Sequence, residues 1–210
     1  MRQRLAIRYA IRGDLRFLSH QDTLRLFQRA FARADIPVRY SEGFNPRPRI
    51  SIAMPRPVGV ESHDELMTIE LASPLEIDAV SARLAAQLPE GIQIHQVEAL
   101  HAQDRRLPRE VEYTVDLSGA SVESVQARAA ELLTSQTHRV ERRDPEGRCT
   151  KHVDIRAFLI DVRVDGNRLV WSQTVSIDGT ARVGEVLEAV GLPAPEWTHR
   201  AVRSRAAFRD

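Results

Sequence analysis

"RLAIRYAIRGDLRFLSHQDTLRLFQRAFARADIP" (Arg4–Pro37) changes its hydrophobic period once. From Arg4 to Arg12 apolar and polar residues alternate, the period-two pattern of a half-buried strand. Gly13 and Asp14 interrupt it. After Ser19 the spacing becomes helical: Leu24, Phe27, Phe31 and Ala34 share one face, while Arg25, Arg29 and Arg33 recur every four residues on another. Ser19 followed by Asp22 is close to a capping box. The helix is predicted to stop before Pro37, because the residue preceding a proline disfavours helical geometry.

The strand-then-helix order continues along the chain. VRYS (38–41), ISIAM (50–54) and ELMTIELA (65–72) are expected strands, LEIDAVSARLAAQL (75–88) an amphipathic helix and IQIHQVEAL (92–100) a strand. HAQDRRLPRE (101–110) is polar and aperiodic, and is read as a linker. The pattern then returns: VEYTVDL (111–117) as strand, SVESVQARAAELLTSQ (121–136) as helix, and HRVER (138–142) leading into a DPEGR turn. IRAFLIDVRV (155–164) and RLVWSQTVSI (168–177) flank Asp165-Gly166-Asn167, a strong hairpin signal. ARVGEVLEAVGL (181–192) is a helix and THRAVRSRAAF (198–208) a strand, with Arg203 and Arg205 expected on a solvated face. Both halves read β-α-β-β-α-β, with an extra strand in the middle. The expectation is an α+β fold of two tandem ferredoxin-like units with an open antiparallel sheet face. They cover 1–100 and 111–210, joined by the linker at 101–110.

The chain has 210 residues, with 42% apolar and 28% charged, enough for a real core. No apolar run approaches the roughly 18 residues of a spanning helix. The N-terminus carries an arginine every few residues and lacks the apolar core of a secretory signal. Cys149 stands alone, which suits a reducing cytoplasm and excludes an iron–sulfur cluster or Cys-rich zinc site held within the chain. The net charge of +1 hides an asymmetry: residues 1–60 hold twelve arginines against four acids, and the remaining residues carry the acidic excess. A basic segment on an otherwise acidic chain points to an anionic partner at that end.

The chemistry concentrates in two places. RFLSHQDTLR (16–25) sets His20 and Asp22 at a helix start, where free N–H groups attract phosphate. His20 is the acid–base candidate there; Asp22 is a weaker one, and the alternative is that Ser19 and Asp22 only cap the helix. YSEGFNPRPR (40–49) combines Gly43, Asn45 and Pro46, which favour a turn, with Tyr40 and Phe44 as stacking candidates and Arg47 and Arg49 as phosphate contacts. The alternative is a structural loop with Phe44 in the core. Walker loop, GxGxxG, HExxH and GxSxG motifs are all missing from the sequence, and no spacing typical of metal ligands occurs.

Arg16, Phe17, Ser19, His20 and Asp22, then Arg29, Ala30, Arg33 and Ala34, then Tyr40, Ser41, Gly43 to Pro46, Pro48 and Arg49, then Pro57, Gly59, Ser62 and Glu65 form a dense pattern over about fifty residues. In this pattern the chain resembles the bacterial radical SAM-linked protein family, a domain of unknown function found alone or fused behind a radical SAM module. KHVDIRAFL (151–159) is similar to a Lys-x-x-Asp-Ile-Arg segment of that family. The resemblance implies a bacterial cytoplasmic protein associated with radical SAM proteins, and it carries over no catalytic residue.

Together these readings predict an RNA-binding accessory protein in RNA maturation or ribosome-related modification. It would act with a radical SAM partner in trans or as a fusion in relatives, hold no cofactor in this chain, and contact neither membrane nor DNA. The expected RNA contacts are Arg16, His20, Arg25, Arg29, Arg33, Tyr40, Phe44, Asn45, Arg47 and Arg49. One alternative is a metal-independent RNA-processing enzyme, endoribonuclease-like or base-modifying, an argument from fold analogy. Another is a protein–protein adaptor for the radical SAM enzyme without RNA contact.

Overall fold

Strand β1 (Gln3–Ile11) buries Leu5, Ile7, Tyr9 and Ile11 in one core with Phe27, Ala30 and Phe31 of helix α1 (His20–Arg33). The period-two residues of the strand thus meet the helical-period residues that follow them. The computed structural model describes residues 3–101, 103–144 and 146–209, and of Cys149 only the backbone. The chain is mixed α+β with a mostly antiparallel sheet. It divides into two compact units, residues 1–107 with 208–210, and residues 108–207.

In the first unit β1 lies between β3 (Glu61–Leu71) and β4 (Ile92–Leu100), antiparallel to both, with Ile7 opposite Met67 on one side and Val97 on the other. The short strand β2 (Ile50–Ile52) pairs antiparallel with β3, Ile50 opposite Ile69. Strand order is therefore β4-β1-β3-β2, and the chain order is β-α-β-β-α-β, with α2 (Ile77–Ala85) between β3 and β4. Tyr9 meets the Phe27 ring edge-on at 4.8 Å, and Phe27 lies 6.1 Å from Phe31. Val80 and Leu84 of α2 complete this core.

Several boundaries differ from expectation. VRYS forms no continuous strand; Val38 and Tyr40 make isolated bridges to Leu71 and Pro48. β2 ends at Ile52, since the prolines at 55 and 57 remove ladder donors. β3 begins four residues earlier than predicted, and α2 is shorter at both ends. β5 (Leu107–Asp116) takes in the last four residues of the expected linker.

The second unit runs β5, α3 (Val122–Thr134), β6 (Arg139–Arg143), β7 (Cys149–Asp154), β8 (Leu159–Asp165), β9 (Arg168–Thr174), α4 (Val183–Ala189), α5 (Ala194–Trp197) and β10 (Ala201–Arg209). Its sheet has the order β10-β5-β9-β8, and β6 and β7 form a separate two-stranded ribbon. The β8–β9 hairpin closes at Asp165 opposite Arg168, as the Asp-Gly-Asn signal predicts. The ribbon is tied to α4 by a bidentate pair: Arg142 Nε donates to Glu185 Oε1 at 2.8 Å and Nη2 to Oε2 at 2.9 Å. Tyr113 and Trp171 stack at 5.1 Å.

The solvated reading of Arg203 is overturned. Arg203 is 1% exposed, with its guanidinium over the Tyr113 ring at 5.6 Å and donating to the Tyr113 hydroxyl at 3.2 Å. Arg205 is exposed. A cation is tolerated in the interior when its donors are occupied and an aromatic face lies beside it.

Candidate nucleic-acid interface

Residues 39–49 form a hairpin. Arg49 N donates to the Arg39 carbonyl at 2.8 Å, Ser41 N to the Arg47 carbonyl at 2.8 Å, and Arg47 N to Ser41 Oγ at 2.9 Å. Tyr40 and Pro48 face each other between these rungs. The stem is anchored to β3, since Arg39 N donates to the Glu70 carbonyl and Glu70 N to the Arg49 carbonyl. Gly43 turns the tip at φ 124, a conformation strained for any residue with a Cβ.

At this tip Phe44 is fully exposed, at 103% of its reference area, and Tyr40 is 55% exposed. The alternative that places Phe44 in the core is thereby excluded. Asn45, Arg47 and Arg49 are exposed. The side chains of Arg47 and Arg49 make no hydrogen bond or ion pair among the described residues. Arg39, which the sequence reading passed over, is instead structural, pairing with Glu42 at 2.9 Å and Glu70 at 3.4 Å.

The hairpin presents two faces. Its Tyr40–Pro48 rung lines a groove of about 250 Å3 against the Gln28 and Ala32 edge of α1. Arg49 lines a separate depression with Arg4, Arg105, Ser51 and Thr68.

The arginines of α1 do not act as one set. Arg25 pairs with Asp22 at 3.2 Å. Arg29 is exposed and unpaired among the described residues. Arg33 reaches the end of α2, donating to the Gln87 carbonyl at 2.7 Å. The edge of α1 toward the Tyr40–Pro48 rung carries Gln28 and Ala32. Arg16 is half-buried, pairs with Glu61 at 3.2 Å and lies 5.0 Å from the Phe17 ring.

His20 opens α1 and lines a cavity with Tyr9, Thr23, Arg56 and Glu65. That cavity holds about 10 Å3, space for one water and not for a phosphodiester. Ser19 caps the helix, accepting from Asp22 N at 3.1 Å. Asp22 accepts the Ser19 hydroxyl at 2.6 Å, and this bond, with the Arg25 bond and charge, holds its carboxyl below the ordinary value. A carboxyl held this way is a carboxylate at neutral pH and no proton donor.

Arg56, set between Pro55 and Pro57, is a clamp. It donates to the carbonyls of Leu15, Arg16, Leu18, Pro57 and Val60, joining the segment before α1 to the segment before β3. In the second unit the Asp-Ile-Arg segment is likewise a joint. Asp154 accepts from His138 N and Arg156 N, and Arg156 donates to the Leu133 carbonyl at 2.9 Å. Among the described residues no group of histidine, cysteine or acidic side chains is arranged to hold a metal. No described helix is long and apolar enough to cross a membrane.

No functionally curated protein matches the chain. Among solved structures, an unknown protein from Galdieria sulphuraria aligns at 15% identity and TM-score 0.29, covering 90% of each chain. A protein described as "putative glycine cleavage system transcriptional repressor" aligns at 16% identity and TM-score 0.30, covering 90% of this chain and 88% of the other. At those scores neither likeness carries an argument. A family model matches residues 4–184, most of both units. The chain belongs to the family described as "Uncharacterized protein conserved in bacteria (DUF2344)".

Proposed function

We propose that this protein binds RNA through the 39–49 hairpin. The observation that carries the reading is Phe44, fully exposed at the tip of a hairpin whose Arg47 and Arg49 have no intramolecular partner among the described residues. An exposed aromatic ring is a platform on which a base can stack, and every nucleobase offers a face to it. Guanidinium groups free of carboxylates are available to phosphate. The closed rungs and prolines hold the loop in shape beforehand, so binding sacrifices little conformational entropy.

Each unit is read as a ferredoxin-like plait, supported by the orders β4-β1-β3-β2 and β10-β5-β9-β8. The first, basic unit carries the RNA-binding surface. The protein acts in RNA maturation or ribosome-related modification in the cytoplasm, beside a radical SAM partner that brings its own cluster. That partnership rests on the sequence resemblance described above.

The test is equilibrium binding of the full chain to RNA fragments across a salt series. RNA binding predicts a linear fall of log affinity with log salt. A chain that captures a protein partner through Phe44 but shows no salt-dependent RNA affinity is an adaptor, and the reading fails.

A further inference from the structure

The groove between α1 and the hairpin has a size and lining of its own. Its volume of about 250 Å3 lies below the roughly 300–1,000 Å3 of drug-sized sites. Taking the ~30 Å3 share of one liquid water as the unit, it is about eight waters large, room for one or two fused planar rings. Ile36 and Ile50 are among its apolar walls, and Tyr40 and Pro48 stand as a cross-hairpin pair at its side. Ala32, one turn beyond Gln28 on the same helix edge, leaves the space that a larger side chain would fill.

Besides the Tyr40 hydroxyl, one polar side chain lines this otherwise apolar groove. Gln28 lines the groove, and its amide makes no hydrogen bond among the described residues. A carboxamide offers donor and acceptor side by side, the complement of a nucleobase edge. Charge complementarity selects the occupant further. Arg29, next to Gln28 and three residues before Ala32 on α1, is exposed and unpaired among the described residues.

We infer that this groove takes one unstacked nucleobase, stacked on Tyr40 and read by Gln28, with its phosphate toward Arg29. The inference rests on the RNA reading and deepens it: the ligand is a single-stranded segment or loop, because a base held in a duplex cannot enter a slot between a helix and a hairpin.

The test uses the full chain and the four ribonucleoside 5′-monophosphates, with ribose 5-phosphate as the control lacking a base. Proton–nitrogen spectra are followed at the Gln28 side-chain amide, and ring signals at Tyr40. At least one nucleotide is expected to shift both saturably while ribose 5-phosphate does not. Tyr40→Ala should weaken that nucleotide by about 5- to 150-fold, the range that removal of one base–aromatic stack implies. Ala32→Trp, at an exposed position, should block the groove. If no nucleotide moves Gln28, or ribose 5-phosphate moves it equally, the inference is overturned. The two claims separate cleanly. Salt-dependent RNA binding with a silent Gln28 removes the groove alone; nucleotide shifts without RNA retention keep the groove and remove the RNA reading.

Discussion

The guanidinium of Arg56 donates to the carbonyl oxygen of Arg16 at 2.6 Å, forty residues away in sequence. It also collects the carbonyls of Leu15 and Leu18 in the segment before α1. Of the three arginines set among the prolines, this one builds the fold while Arg47 and Arg49 are exposed. Arg56→Ala leaves those carbonyls without their charged donor and is expected to cost about 2–4 kcal/mol. Arg47→Ala should stay within about 0.5 kcal/mol. Urea midpoints of the two variants check the contrast, and equal midpoints would refute it.

Phe27 and Phe44 of the first unit divide in the same way. Phe27 is fully buried and Phe44 fully exposed. Phe27→Ala should destabilise by roughly 3–5 kcal/mol. Phe44→Ala should leave the melting temperature almost unchanged and weaken RNA binding by roughly 1–3 kcal/mol. A large drop in stability at Phe44 would place its ring in a core and remove the stacking argument.

Arg47→Ala combined with Arg49→Ala should lower the salt slope of RNA binding by about 0.7 to 0.9 for each phosphate left without its cation. Folding should be unaffected. An unchanged slope with unchanged affinity counts against the hairpin as a nucleic-acid site.

Asp22 makes stability depend on acid. Its carboxyl titrates below its ordinary value of 3.8, chiefly through the Ser19 hydroxyl. The ionised form therefore contributes stability above 3.8, and that contribution fades as pH falls through the lower folded-state value. Asp22→Asn should differ from the native chain at neutral pH and converge on it in strong acid. Thermal unfolding of both across that range measures it, and a constant difference would contradict the assignment.

The sequence by itself determined the elements whose signals are local. The period change at Ser19 placed β1 and α1, and the Asp-Gly-Asn turn placed the β8–β9 hairpin. These depend on side-chain alternation and turn geometry within a few residues. The same local chemistry made the 39–49 segment conspicuous, with Gly43, Pro46 and two arginines close together. Tertiary structure alone decided the roles of individual charges. Arg203 and Arg205 alternate identically along β10, yet Arg203 is buried against Tyr113 and Arg205 is exposed. Arg25, Arg29 and Arg33 share one helical spacing, yet one pairs with Asp22, one is unpaired among the described residues and one caps the end of α2 at Gln87. Gln28 carries no motif, and its place in the groove follows from the hairpin folding back to bring Tyr40 and Pro48 beside it. Periodicity tells which side of an element a residue occupies; it does not tell what lies opposite. The partner of a long charged side chain is set by chain segments tens of residues away, and only their packing supplies it.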